Sequence, residues 1–377
     1  MPNEQLSIPL LDEIEVSFFG PGYGESVAIH VGNKFWILVD SCLDPKTRQP
    51  AGLNYLQQLG VDIQQSVKLV VATHWHDDHV RGLSSVFKEC NSAHFVLSSA
   101  LHNHEFVKLL SLYEPPHMIK SSGVDQFVEI FKLIEERRKL DRRSIPLKWA
   151  GPDRTIYSEN VSLPNKDILV SVHTLSPSDV SILNAYRTFS SLLQKENQPK
   201  KRVPLRNTNE FAVALWLEIN DHKILLGADL KNTGQSDTGW AAIVDNSIII
   251  RNKRAAVFKV PHHGSQSGHN DRVWSSMVED NVLAFLSSFN RGTKPLPSEA
   301  DLKRIVLLTS KAYLTAPPKS KRHKFSDPVV RDMVKDITQE IYSINQGWGQ
   351  IRLRGKILGP SNEWDVKLYG DAYKIGN

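Results

Sequence analysis

Between residues 73 and 82 the chain reads Thr73-His74-Trp75-His76-Asp77-Asp78-His79-Val80-Arg81-Gly82. Three histidines and two aspartates thus fall within six residues. Imidazole nitrogen and carboxylate oxygen are the ligands of catalytic zinc and of related divalent cations. His74 and His76 are two apart, so an extended segment points both rings to one side. Asp78 and His79 turn toward a second position as the chain enters a helix. A purely structural role would have to explain why so many potential ligands crowd one strand end.

The flanking text supplies elements that could hold such a cluster. Residues 67–72, VKLVVA, are a mostly apolar run of the kind buried on both faces of a sheet, and they lead straight into the histidines. Upstream, residues 14–19, 27–31 and 34–39 read as strands, with Gly32-Asn33 as a hairpin turn and 53–59 as a short helix. Residues 100–145 are helical in pattern, 168–172 a strand, and 181–206 a helix that ends in a polar, basic stretch. Strands return at 211–219 and 223–226 around Asn220-Asp221, then at 255–260 and 282–287. A helix at 328–342 and two strand-like runs around Gly359-Pro360 close the chain, the latter expected as a hairpin completing a second sheet. No internal repeat is visible. The expectation is one α/β domain over 1–377, with helical insertions at about 98–145 and 181–206.

The HxHxDH pattern is the signature of the metallo-β-lactamase superfamily, which this chain resembles over most of its length, and in particular the hydrolase group of the competence protein ComEC. Gly20-Pro21-Gly22-Tyr23-Gly24-Glu25-Ser26 is similar to that group's glycine-rich turn. Ile37-Leu38-Val39-Asp40-Ser41 is similar to its "lvDsG" strand end, with Cys42 in place of the glycine. Asn207-Thr208-Asn209-Glu210-Phe211-Ala212-Val213, Ile224-Leu225-Leu226-Gly227-Ala228-Asp229 and Val257-Phe258-Lys259-Val260-Pro261-His262-His263-Gly264-Ser265 follow in the family's order. Residues 284–290 and 294–298 resemble its last motif, with Leu296 where the pattern has histidine.

The resemblance implies a four-layer αββα sandwich with two mixed β-sheets and a site at one edge. It implies two divalent cations, zinc by default, with manganese or magnesium as alternatives. The first would be held by His74, His76 and Asp179, and the second by Asp78, His79 and His262, with Asp229 bridging them. Asp179 stands in Thr174-Leu175-Ser176-Pro177-Ser178-Asp179, where the wider family has a third histidine; His173 is the competing candidate, more simply a packed strand residue. Asp40 supports the histidine loop by hydrogen bonding. His263 faces the scissile group, and the reverse assignment of His262 and His263 stays open. Read without the family, Asp229 is only a turn aspartate after a strand. His94, His102, His104 and His117 read as surface or helix residues.

The implied chemistry is metal-assisted hydrolysis. Two cations about 3.5–4 Å apart make a bridging water acidic enough to attack near neutral pH and clamp the oxygens of an in-line displacement. Asp78 or Asp229 would orient that nucleophile, and His263 would stabilise an oxyanion or protonate a leaving group. A phosphodiesterase or nuclease is the favoured reading, with nucleic acid or a nucleotide as substrate. The rivals are a hydrolase of small phosphate esters or lactones, and a non-catalytic interaction or sensing module. The chain carries 46 Lys and Arg against 41 Asp and Glu, a surplus that permits an anionic partner without demanding one. The basic runs Lys200-Lys201-Arg202, Arg251-Asn252-Lys253-Arg254 and 319–324 are candidates for phosphate contacts around the mouth of the site. No run approaches the roughly 18 apolar residues of a membrane span. The start lacks a basic n-region and a cleavage site. Cys42 and Cys90 have neither CxxC spacing nor a disulfide framework. These features give the expectation of a cytoplasmic protein without membrane contact.

Overall fold

The computed structural model describes residues 7–21, 24–102, 122–142, 146–164, 166–194, 208–290, 295–318 and 347–376. Two eight-stranded sheets lie face to face. The first contains β1 (Glu13–Pro21), β2 (Ser26–His30), β3 (Trp36–Val39), β4 (Val67–Ala72), β5 (His94–Ser98) and β6 (Leu147–Ala150), with β14 (Trp348–Lys356) and β15 (Asp365–Gly370) added at the β1 edge. The second contains β7 (Arg154–Ser162), β8 (Asp167–Thr174), β9 (Leu215–Ile219), β10 (His222–Leu226), β11 (Ala255–Lys259), β12 (Val278–Leu286), β13 (Ala312–Leu314) and β16 (Tyr373–Lys374). Both sheets are mixed. β3 to β6 and β10 to β13 run parallel, and the remaining neighbours are antiparallel.

Alternation within the strands accounts for the layers. Ile37 and Val39, with Leu69 and Val71, face the opposite sheet and meet Leu215, Leu217, Ile224, Leu226, Val257 and Phe285. Phe18 and Phe285 touch across this layer with ring centroids 4.9 Å apart. Trp36, Leu38, Val70 and Ala72 point the other way, under α1 (Ala51–Gln58), α4 (Leu83–Glu89), α5 (Ser122–Leu140) and α6 (Asp179–Gln194). On the second sheet Trp216, Leu225, Phe258 and Leu286 pack beneath α7 (Gly239–Asn246), α8 (Asp271–Ser276) and α9 (Glu299–Leu308). The two short helices α2 (Ile63–Ser66) and α3 (Asp77–Val80) flank β4. This is the expected αββα sandwich. Apolar residues on both faces of each sheet require helices outside and a second sheet inside.

One placement differs from expectation. The C-terminal hairpin completes the first sheet, since β14 runs antiparallel to β1 over its full length. Only the two-residue β16 joins the second sheet. Ile351 and Leu353 face the inter-sheet core, while Gln350 and buried Arg352 lie on the opposite face. Such a pattern fits the edge beside β1, where Glu15, Ser17, Tyr55 and Arg354 supply polar partners. Strand text at 211–219 begins later than expected, because 208–211 closes into a single helical turn. Gly22, Tyr23, His104, His117, Asn207, Lys294, the basic runs 200–202 and 319–324, and the expected helix 328–342 lie outside the described residues.

Candidate metal centre

Parallel strands place the chemistry at their carboxyl ends, where loops are free to converge. β4 delivers the histidine loop, β10 delivers Asp229, and β11 delivers His262 and His263. The first sheet and the second therefore each contribute half of the site. His74 Nε2 lies 3.2 Å from His76 Nδ1 and 4.0 Å from Asp229 Oδ2. The same Asp229 oxygen lies 3.5 Å from His79 Nε2 and 3.4 Å from His263 Nε2. Asp78 Oδ2 is 3.8 Å from His79 Nε2 and 3.6 Å from His263 Nε2. Two groups of donors thus converge on a single carboxylate oxygen. All are buried except His76, which is partly exposed.

Each histidine is fixed from behind. His79 Nδ1 meets Asp40 Oδ2 at 2.7 Å. Thr73 donates its amide and its hydroxyl to the two oxygens of Asp40, and the hydroxyl lies 3.0 Å from His74 Nδ1. Asp40 therefore steadies one imidazole in each donor group, as an outer-shell carboxylate does at a metal site. His263 Nδ1 meets Ser287 Oγ at 3.0 Å, and that hydroxyl donates to Glu25. His76 Nε2 rests on the Thr208 hydroxyl at 2.5 Å.

The electrostatics favour a cation. Four buried carboxylates, Glu25, Asp40, Asp78 and Asp229, face one buried ammonium, Lys259. Burial works against charge on His79, yet Asp229, Asp40 and Glu25 outweigh it and push its pKa well above the ordinary value. Burial likewise opposes charge on His263, but Asp229, Asp78 and Glu25 raise it to about 10. Burial holds His74 well below the ordinary range, with neighbouring imidazoles adding to the effect, and burial also lowers His76. Burial alone would raise Asp229, but the adjacent histidines hold it well below the carboxylate range. The protons on His79 and His263 balance negative charge that a divalent cation would balance in their place. His79 Nε2, which faces Asp78 and Asp229, is buried without a hydrogen-bond partner among the described residues. Buried polar atoms are rarely left so. Imidazole nitrogens and carboxylate oxygens in this arrangement fit zinc or a related cation.

Backbone strain collects at the same edge. Asp40 (φ 57°), Ala228 (φ 46°), His262 (φ 48°) and His263 (φ 53°) are non-glycine residues in the left-handed region. Such residues persist only where the surroundings over-determine them, commonly at functional sites. Gly264 follows with φ 73°, and a Cβ there would lie 2.7 Å from Leu286 Cδ1 and 2.9 Å from Ile305 Cδ1. Gly264→Ala should therefore lose about 3 kcal/mol of stability from left-handed strain and overpacking combined. Urea unfolding of the chelator-stripped protein measures this, and a change below about 0.5 kcal/mol would contradict the packing described.

The expected site residues separate into two sets. His74, His76, Asp78, His79 and Asp229 come together, with Asp40 behind them. His263 joins them in the place expected for His262. His262 instead turns its Nδ1 to the hydroxyls of Ser267 and Ser265, at 2.8 and 3.1 Å, which is the assignment left open. Asp179 requires a correction. It is exposed at the first turn of α6 and lines a surface depression of about 250 Å³ with Asp237 and Asn246. The Ser176 hydroxyl ties its loop to Ala212 and Ala214, so the next residues turn away into the helix and Thr208 reaches His76. His173 pairs with Thr155 across β7 and β8, outside the cluster. His94 is partly buried at the start of β5, and His102 stacks on Trp149.

Glu25, Thr208, Lys259 and Ser287 had no expected role. Lys259 alone carried a signal: a lysine ending the apolar run AAVFK is a charge where burial is expected. The described basic run 251–254 is also misplaced for phosphate contacts at the site. It precedes β11, whose far end carries the histidines, roughly 16 Å of strand away. Lys253 and Arg254 are moreover paired with Glu218 and Asp280.

No helix among the described residues is long and apolar enough to cross a membrane. A search of curated proteins finds no match. Among solved structures the chain is similar to the metallo-beta-lactamase fold protein YhfI from Bacillus subtilis, at 11% identity over 82% of this chain and 98% of that one, with a TM-score of 0.36. It is similar to MEM-A1, a subclass B3 metallo-beta-lactamase from a soil metagenome library, at 12% identity over 70% and 83%, TM-score 0.32. Zn(2+)-bound PqqB from Methylobacterium extorquens is a further neighbour, at 11% identity over 62% and 58%, TM-score 0.29. Residues 19–156, which carry the whole histidine loop, match the family model described as the Metallo-beta-lactamase superfamily.

Proposed function

We propose that this protein is a metal-dependent hydrolase of phosphodiesters, with nucleic acid or a nucleotide as substrate. The observation that carries the reading is the convergence of two donor groups on Asp229 Oδ2. His74, His76 and Asp229 would hold one cation, and Asp78, His79, His263 and Asp229 the other. Bound divalent cations supply Lewis acidity, which polarises a phosphoryl oxygen and makes water acidic enough to attack near neutral pH. Asp78 and Asp229 keep acceptor oxygens at the centre of the cluster, able to orient an attacking water. Burial lowers His262 to about 4, so its ring is neutral at neutral pH. With Nδ1 accepting from Ser265 or Ser267, the proton sits on Nε2, which can donate to an oxyanion of the substrate. The role expected for His263 thus passes to its neighbour.

The resemblance of the strand-end motifs to the ComEC-like hydrolases supports phosphodiesters over other esters. The test is turnover of single-stranded DNA, duplex DNA, RNA, cyclic dinucleotides and bis-p-nitrophenyl phosphate in zinc, manganese and magnesium. The expected result is cleavage of at least one phosphodiester. Cleavage confined to lactones or small monoesters would reject the substrate class and retain the hydrolase.

A further inference from the structure

We propose that Glu25, Lys259 and Ser287 form a positioning device that clasps the two sheets at their metal edge and aims His263 and Asp229 at the histidine loop. The proposal rests on the metal-centre reading above. Glu25 lies in the turn between β1 and β2, whereas Lys259 ends β11 and Ser287 follows β12, so their contacts join opposite sheets. Glu25, Lys259 and Ser287 are each at most 2% exposed. Lys259 Nζ pairs with Glu25 Oε1, donates to the Ala228 carbonyl at 2.6 Å and lies 3.6 Å from Asp229 Oδ1. It thus holds the backbone residue before Asp229 and flanks the carboxylate oxygen opposite to the one facing the histidines.

Ser287 completes the device. Its hydroxyl proton goes to Glu25 Oε2, which leaves the oxygen to accept from His263 Nδ1–H at 3.0 Å. Nε2 of His263 is then directed at the space shared with Asp229 and Asp78, where a cation would take the place of its proton. A carboxylate acting through a hydroxyl makes the imidazole a better and better-aimed ligand. An apolar pair in place of Glu25 and Lys259 would hold the sheets together as well, but it would not set these hydrogen-bond directions.

Zinc titration of the full-length, chelator-stripped protein tests the proposal. Ser287→Ala removes the hydroxyl that relays Glu25 to His263, leaving only the longer direct approach of 3.7 Å between them, and leaves the ion pair intact. The double variant Glu25→Gln with Lys259→Met removes both charges and strands neither. Both are expected to lose about 10- to 100-fold in zinc affinity while unfolding at nearly the wild-type temperature when stripped. Wild-type affinity in both folded variants would overturn the positioning role. Failure of the wild type to bind zinc is a different result, and it would overturn the metal-centre reading on which the proposal stands.

Discussion

Asp229→Asn should reduce phosphodiester turnover by at least about 10³-fold, because two cations supply several kcal/mol of transition-state stabilisation and each 1.36 kcal/mol is a tenfold rate change. The reason is geometric. Oδ2 of this residue faces His74, His79 and His263 within 3.4 to 4.0 Å, so it belongs to both donor groups at once. Loss of its charge weakens both cation positions, whereas the asparagine keeps the side chain's volume beside Lys259. Far-UV circular dichroism should be unchanged, with metal content and turnover falling together. Full turnover in a folded Asp229→Asn variant would remove the bridging role.

Gly24→Ala should be as damaging to the centre although it removes no ligand. Gly24 has φ 134°, and a Cβ there would sit 1.6 Å from the carbonyl oxygen of Asp78 and 2.6 Å from its Cα. The neighbouring amide of Glu25 bonds that same carbonyl at 3.0 Å. The turn is therefore pressed backbone to backbone against the loop that carries Asp78 and His79, and no side-chain rotation relieves the overlap. Either the turn or the loop must move. The expected cost is above about 4 kcal/mol, in the exceptional range for a single substitution, together with loss of metal binding. Gly60→Ala is the control: it also has positive φ (73°), but nothing lies within 4 Å of its added carbon. That variant should cost only about 1–2 kcal/mol of left-handed strain and keep its metal. Equal effects at both positions would show that the close approach at Gly24 is unimportant.

What could be read in the sequence follows from how local each signal is. β4 appears with its expected bounds because VKLVVA is mostly apolar on both faces, a property of six consecutive residues. The histidine loop was equally local. Asp229 and the 262–263 pair emerged only from their order behind it, since each is an ordinary turn residue in isolation. Adjacent histidines cannot be told apart by sequence. The successive left-handed residues from His262 to Gly264 turn His263 inward and leave His262 against Ser265 and Ser267. Asp179 failed for a related reason. Its spacing matched the family histidine, but the bonds of Ser176 to the strand at 212–214 send the chain away before residue 179. Thr208, which does reach the cluster, comes from a segment 132 residues after His76. The edge chosen by the C-terminal hairpin was likewise hidden, because its partners Glu15 and Ser17 lie more than 330 residues away in the chain.

The strand-end cluster is proposed as a two-cation hydrolytic centre. Its most direct test measures metal content and phosphodiester cleavage on one and the same sample, reconstituted in turn with zinc, manganese and magnesium. The expected result is two cations per chain and cleavage that rises with their occupancy. A folded chain that takes up no cation and cleaves no phosphodiester would contradict it.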